Sequence, residues 1–516
     1  MRDTKTEKTL QIDGAEEGIE EPGGEPEVEY QTASSDGSRV FFTDTARLTK
    51  DSTLPSNPES ESPQGADLYE CEVVERKGEF ACDLSDLTAD PHDGETAAVQ
   101  GSVIGADEEG SDVYFVANGA LAPGATPGNC ARDIKGKALP GATCNLYVEH
   151  YNSESGKWEA PTFIATLSNE DISDWESKGG AEHRSLGYVT AGVSPNGRYL
   201  AFMSEQRLAG YDNDDVNSGQ PDEEVFLYDA SSGHLVCASC NSTGARPLGV
   251  FDTQNAGEGT GLLVDRSLNW EGHWLAGSLP GWMVGNHEYP YHQPRYLSDS
   301  GRLFFNSPDA LVPHEVEHRE EGVDGQSENV GVENVYEYEP GGLGSCTDEG
   351  GCVGLVSSGT SNKESAFLDA SASGDDAFFV TYAQLVPQDV DSSLDVYDAS
   401  VCGISGVEQC TTSEASETAS CPTVEACRGA SFSQPVFGAP ASATVSGRGN
   451  LAPVIAPAVR PKKTLTRAQE LTKALKVCRK KANKKKRATC ERRARKRYGA
   501  KASKKKSGKR SRKGKE

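Results

Sequence analysis

Five times along this chain a turn glycine is followed by a short run of apolar and aromatic residues. The runs are Gly37-Ser38-Arg39-Val40-Phe41-Phe42, Gly110-Ser111-Asp112-Val113-Tyr114-Phe115, Gly197-Arg198-Tyr199-Leu200-Ala201-Phe202, Gly301-Arg302-Leu303-Phe304-Phe305 and Gly374-Asp375-Asp376-Ala377-Phe378-Phe379. Each is followed by a second run that pairs apolar residues with Tyr behind an acid or amide: Asp67-Leu68-Tyr69, Asn145-Leu146-Tyr147, Glu224-Val225-Phe226-Leu227-Tyr228, Asn334-Val335-Tyr336 and Asp395-Val396-Tyr397. Period-two patterning in these runs predicts strands. Asp229-Ala230-Ser231-Ser232-Gly233-His234 reads as the hairpin turn between two of them. A long-period repeat of strands predicts radial β-architecture, because one small sheet cannot bury both its faces alone.

The copy Val193-Ser194-Pro195-Asn196-Gly197-Arg198-Tyr199-Leu200-Ala201-Phe202, with Leu227-Tyr228-Asp229 behind it, resembles the WD40-like repeats of TolB-type β-propellers, whose units open with Ser-Pro-Asp-Gly. Ser35-Asp36-Gly37 and Ser298-Asp299-Ser300-Gly301 are looser matches, and the second and fifth units lack the Pro and most of the Ser-Asp. The resemblance spans residues 27–405, roughly three quarters of the chain. It implies an all-β fold, a β-propeller of five or six blades, and implies little about function. The repeat glycines are 73, 87, 104 and 73 residues apart. A four-stranded blade needs roughly 40–45, so long inter-strand insertions are expected. The widest gap, holding Trp270, Trp274 and Trp282, reads as a degenerate sixth blade or a lid.

Outside the repeats, residues 1–26 are an acidic N-terminal segment and 406–463 a Ser/Thr/Pro/Ala-rich linker. Residues 464–499 predict a basic helical hairpin, with a capping box at Thr466 and Leu471, Leu475, Cys478 and Ala482 on one face. In one straight helix Cys478 and Cys490 stand about 18 Å apart. A disulfide needs roughly 4.4–6.8 Å between Cα atoms, so pairing them demands a reversal near Asn483. Residues 500–516 predict a disordered basic tail.

The net charge of −28 conceals a segregation. Residues 460–516 hold 27 bases and three acids, +24; the other 459 hold 24 bases and 76 acids, −52. Such a body repels nucleic acid and acidic membranes, and such a tail seeks them. Its Lys480, Lys481, Lys484, Lys485, Lys486, Arg487, Arg492, Arg493, Arg495, Lys496 and Arg497 form the expected polyanion-binding set. With Tyr498 the tail's sole aromatic, stacking on bases is not expected.

Fourteen cysteines fall into seven neighbouring pairs: Cys71 with Cys82, Cys130 with Cys144, Cys237 with Cys240, Cys346 with Cys352, Cys402 with Cys410, Cys421 with Cys427, and Cys478 with Cys490. Local even pairing predicts disulfides and an oxidising compartment. The competing reading is zinc, for which only Cys237-x-x-Cys240 has ligand spacing. The same spacing suits a redox pair, but the strand-and-turn context favours a staple. Residues 1–30 are polar and acidic rather than an export signal, so an extracellular or envelope location implies a start further upstream. No apolar run reaches the length of a membrane span.

His314-Glu315-Val316-Glu317-His318 spells the H-E-x-x-H of zinc peptidases, which needs a helix. Pro313 precedes it, and it aligns with the histidine-free Gln388-Asp389-Val390-Asp391-Ser392, so a surface loop is expected. Closely spaced acids that could chelate calcium are Asp212, Asp214 and Asp215, Glu315 and Glu317, and Asp389 and Asp391, with Asp212, Asp214, Asp389 and Asp391 the calcium candidates, against a default of solvated acids; no cofactor is required. G-x-S-x-G and G-x-x-x-x-G-K-[ST] are both missing. The resulting expectation is an exported, non-enzymatic propeller serving as a binding scaffold for an unidentified protein, peptide or glycan, tethered to an anionic envelope polymer or acidic protein surface by its tail. The alternatives are a propeller hydrolase or lyase acting on envelope glycans or peptides, and a nucleic-acid-associated protein held by the tail.

Overall fold

The computed structural model describes residues 7–19, 27–54, 65–89, 96–131, 138–175, 189–252, 262–263, 270, 272–281, 283–285, 289–313, 319–320, 330–401, 476 and 487. The protein is nearly all β, 41% strand and 2% helix. It divides into two units, Met1–Leu451 and Ala452–Glu516. In the second, Lys476 and Arg487 are helical.

Five antiparallel sheets follow one another in the first unit, each built in chain order. The first contains β1 (Val28–Ala33), β2 (Arg39–Asp44), β3 (Asp67–Arg76) and β4 (Glu79–Asp86). The second contains β5 (Val99–Ala106), β6 (Asp112–Ala117), β7 (Thr143–Asn152), β8 (Lys157–Trp158) and β9 (Thr162–Ser168), the last two both pairing with β7. A short helix, α1 (Ile172–Trp175), leads to the third sheet: β10 (Gly192–Val193), β11 (Tyr199–Ser204), β12 (Glu224–Asp229) and β13 (His234–Cys237). The wide gap then holds two two-stranded pairs, β14 (Val250–Phe251) with β15 (Trp274–Leu275), and β16 (Met283–Gly285) with β17 (Tyr289–His292). The fourth sheet joins β18 (Leu303–Ser307) to β21 (Asn334–Glu339) and β22 (Cys352–Leu355), with a small pair β19 (Arg319–Glu320) and β20 (Val330–Gly331) inserted. The fifth contains β23 (Ser365–Ala370), β24 (Asp376–Thr381) and β25 (Asp395–Ser400).

The two repeated runs meet as one directly opposed, stacked aromatic pair in every sheet: Phe42 with Tyr69, Phe115 with Tyr147, Phe202 with Phe226, Phe305 with Tyr336, and Phe379 with Tyr397. Ring centroids lie 5.5–5.8 Å apart, at the spacing offset stacking favours. The turn before each first run is stapled alike. A side-chain oxygen of Ser34, Asp107, Ser194, Ser298 or Ser371 accepts the amide N–H that opens the strand, at 2.9–3.1 Å. Asp107 thus substitutes for serine in the second copy, where the motif is weakest in sequence. The repeat glycine is left-handed in all five, φ +68° to +83°, a region costly for any side chain with a Cβ.

Successive turns also tie neighbouring sheets together. Ser35 N–H donates to Glu108 O, Glu108 N–H to Pro195 O, and Asn196 N–H to Asp299 Oδ1. Between the fourth and fifth sheets the tie is ionic. Buried Arg302 reaches Glu337 at 2.7 Å, Glu339 at 3.0 Å and Asp375 at 2.9 Å, and donates to Gly374 O. Residues 7–19 lie against the first sheet, where Glu16 N–H donates to Leu48 O and Ile12 packs on the core around Phe42 and Tyr69.

Candidate functional site

In four sheets the tyrosine of the stacked pair fastens the loop that follows the strand behind the repeat glycine. Tyr69, Tyr147 and Tyr336 donate to the carbonyls of Ala46, Gly119 and Asp309, and these three hydroxyls and that of Tyr397 accept from the amides of Leu48, Leu121, Leu311 and Leu385 respectively. In the third sheet the equivalent residue is Phe226, which has no hydroxyl. There the loop is held by Asp171 instead. Its Oδ2 accepts from Ser204 Oγ at 2.6 Å and Ser168 N–H at 3.1 Å, and its Oδ1 from Glu205 N–H at 2.9 Å. Exchanging a hydroxyl for a buried carboxylate begins a concentration of acids.

One group is arranged in series. Asp174, on α1, accepts from Thr190 Oγ1 and Trp270 Nε1, both at 3.2 Å, and faces Glu223. Glu223 Oε1 contacts His273 Nδ1, and the Glu223 amide donates to Trp274 O at 2.8 Å, which fixes the acid beside β15. Burial, then the charges of Glu223 and Asp171, push the Asp174 carboxyl well above the usual range. Burial likewise raises Asp171, reinforced by Glu205 and Glu223. Burial disfavours the His273 imidazolium, but contact with Glu223 and the charges of Asp171 and Glu205 hold its pKa up at about 9. The His273 side chain is 23% exposed against 3% for Glu223. This set can donate hydrogen bonds and hold a proton between two carboxyls.

A second group adjoins it: Asn213, Asp215, Asp222, Glu224 and Asp309, all buried. Burial pushes Asp222 up to about 9, with Asp215, Glu224 and Asp309 adding repulsion. Burial also pushes Glu224 up to about 8, although Ser239 Oγ donates to it. Asp309 accepts from Leu248 N–H and Gly249 N–H at 3.1–3.2 Å.

Of the acids singled out in sequence, Asp215 belongs to this buried group; Asp212, Asp214, Asp389 and Asp391 lie elsewhere. Asp212 and Asp214 face outward and are gripped by Arg207, which is 3.0 Å from Asp212 and in closer contact with Asp214. Asp389, Asp391 and Asp395 bring one carboxylate oxygen each within 4.8 Å of the others, in a partly exposed loop where Tyr397 donates to Asp389 and Ser393 N–H to Asp391.

Four of the seven expected disulfides are formed: Cys71–Cys82, Cys130–Cys144, Cys237–Cys240 and Cys346–Cys352, with Cα separations of 5.3–5.6 Å. Glu224 lies beside the third of these, whose oxidised sulfurs are not metal-binding thiolates. Cys402, Cys410, Cys421, Cys427, Cys478 and Cys490 all lie outside the described residues, as do the segment 314–318 and every member of the expected polyanion-binding set except Arg487. No free cysteine occurs among the described residues. Alkylation of the intact chain without reductant, read by mass, is expected to add nothing; several labelled thiols would contradict export to an oxidising compartment.

Asp171, Asp174, Glu223, His273, Asn213, Asp222 and Asp309 had not been singled out from sequence. Two signals pointed to them: Phe226 where the other copies have Tyr, and the triple acid Asp222-Glu223-Glu224 where the others have a single acid or amide.

No family model matches this chain, and no curated protein matches it. Solved structures similar to it include the hydrazine synthase of Kuenenia stuttgartiensis, 12% identical over 73% of this chain and 77% of that one, with a TM-score of 0.19. Dipeptidyl peptidase 4 of Porphyromonas gingivalis is 12% identical over 68% of this chain and 41% of its own, with a TM-score of 0.21. Polysaccharide lyase Uly1 is 10% identical over 73% and 69%, with a TM-score of 0.22. At these TM-scores the likenesses carry no argument, and the description of the fold rests on the sheets themselves.

Proposed function

We propose that this chain is an exported, non-enzymatic binding scaffold: a TolB-like propeller, its five sheets acting as blades, held on an anionic envelope polymer by its basic C-terminal unit. The observation that carries this reading is the segregation of +24 in residues 460–516 from −52 in the rest. The boundary between the two compact units, at Leu451–Ala452, falls close to that change of sign. Four disulfides among the described residues fit an extracellular setting. No helix among the described residues is long and apolar enough to cross a membrane.

A chain ending at residue 459 is expected to keep its folded body and lose binding to immobilised anionic polymers. Retained binding would place recognition on the propeller. The alternative reading, a hydrolase or lyase acting on envelope material, is favoured by one observation, the series Asp174–Glu223–His273 with its partly exposed imidazole.

A further inference from the structure

We infer that Asn213, Asp215 and Asp222 form a buried binding site for a calcium ion, inside the loop that joins β11 to β12. The loop folds back on itself. Asp222 N–H donates to Asn213 O at 2.9 Å, Asp215 N–H donates to Gln220 O at 2.8 Å, and Asp214 bridges Pro221. In such a ladder Asn213 and Asp215 share one face, and Asp222 stands opposite Asn213.

The oxygens on that face lack donors. Asn213 is 1% exposed, and its amide NH2 is spent on the carbonyls of Glu205 and Asp222, both at 2.7 Å. That fixes the amide orientation and leaves Oδ1 with no hydrogen-bond partner. Asp222 is 0% exposed and neither of its oxygens meets a donor. Asp215 Oδ1 accepts from the amides of Asn217 and Ser218, while its buried Oδ2 accepts from nothing. Native proteins rarely bury so many acceptors unsatisfied.

The nearby cations serve other groups. The Arg246 guanidinium donates to the main-chain carbonyls of Asp214 and Asp215, each at 2.7 Å, and Arg207 pairs with the outward Asp212 and Asp214. Asp309 and Glu224 add negative charge around Asp222. A hard cation answers such an arrangement. Calcium takes six to eight oxygens from carboxylates, amides and main chain in irregular geometry, whereas magnesium demands a near-ideal octahedron and keeps its water. The ligands are all oxygen, which disfavours zinc.

The test uses the full chain, stripped with EDTA and returned to chelator-free buffer at pH 7.5. Calorimetric titration with calcium should show a saturable buried site at least tenfold tighter than for magnesium, with a rise in melting temperature. Asp222→Asn and Asp215→Asn should each weaken calcium binding at least tenfold. Asp391→Asn, in the exposed trio, should leave it unchanged. In EDTA Asp222→Asn should melt no lower than the natural chain, since it replaces a buried carboxyl that no donor satisfies with an amide of nearly the same shape, so lost binding cannot be put down to unfolding. No calcium binding by the natural chain would overturn the inference. So would binding that survives both loop variants, or that disappears in Asp391→Asn.

Discussion

Replacing Arg302 by methionine is expected to cost about 3–5 kcal/mol of stability, the penalty of stripping one partner from a buried ionic cluster. Arg302 is 4% exposed and is shared by Glu337, Glu339 and Asp375, which join the fourth sheet to the turn of the fifth. Methionine preserves most of the side-chain volume, so the loss is electrostatic. Burial already pushes Glu337 up to about 7 against the pull of Arg302, and without the guanidinium it must rise further. The deficit should therefore shrink as pH falls below 7 and Glu337 takes up a proton. Urea unfolding of both chains between pH 5 and 8 checks this. A difference below about 1 kcal/mol, of the size a surface pair contributes, would show that the cluster is not what joins the two sheets.

Stability in EDTA should fall continuously as pH rises from about 5 to 9. The sign follows from the buried acids. Asp222 is pushed to about 9, Glu224 to about 8, Glu364 to about 7 and Asp67 to about 6, in each case chiefly by burial. The unfolded chain releases these protons near pH 4. A group with a raised folded pKa stabilises fully below its unfolded pKa, and that stability is lost as pH climbs to the folded value. Each carboxyl that keeps its proton only in the fold subtracts about 1.4 kcal/mol per pH unit. His273, raised to about 9, acts in the same direction. Asp215, Glu223, Glu224 and Asp309 face Asp222, and the nearby Arg246 guanidinium is turned to main-chain oxygens. Below pH 4 the trend reverses, because Asp36, held at about 2 by the Ser38 and Ser34 hydrogen bonds, and Asp214, held low by Arg207, lose their charge. Thermal melts at closely spaced pH values check the slope. A flat profile from pH 5 to 9 would mean the buried acids are ionised and compensated. Calcium should flatten it wherever it binds.

The five sheets were legible because the repeat is written in the residues that make them: a left-handed glycine, a four-residue strand core, and aromatics that stack across the pair. The clasp by the tyrosine hydroxyl was not legible, since its acceptors are main-chain carbonyls that carry no residue signature. The third copy could be aligned on Tyr228, but the register pairs Tyr228 with Leu200 and puts Phe226 opposite Phe202. The acid cluster hid for a different reason. Its members come from residues 171–174, 205–224, 273 and 309, and sequence spacing reports none of those meetings. Within the loop itself, strand alternation separates outward Asp212 and Asp214 from inward Asn213 and Asp215. Counting closely spaced acids picks out Asp212, Asp214 and Asp215 together but passes over Asn213 and Asp222, and at Asp212 and Asp214 an arginine already supplies the positive charge.

Binding of the full chain to an anionic polymer across a salt series tests the proposed tether most directly. With 27 bases in residues 460–516, log affinity should fall linearly with log salt. Between about 50 and 200 mM it should drop by roughly a thousandfold or more. The slope should be nearly the same for duplex DNAs of different sequence, and the chain ending at residue 459 should show no such binding. Salt-independent affinity, or a slope that persists without residues 460–516, would contradict a charge-driven tether and assign binding to the sheets.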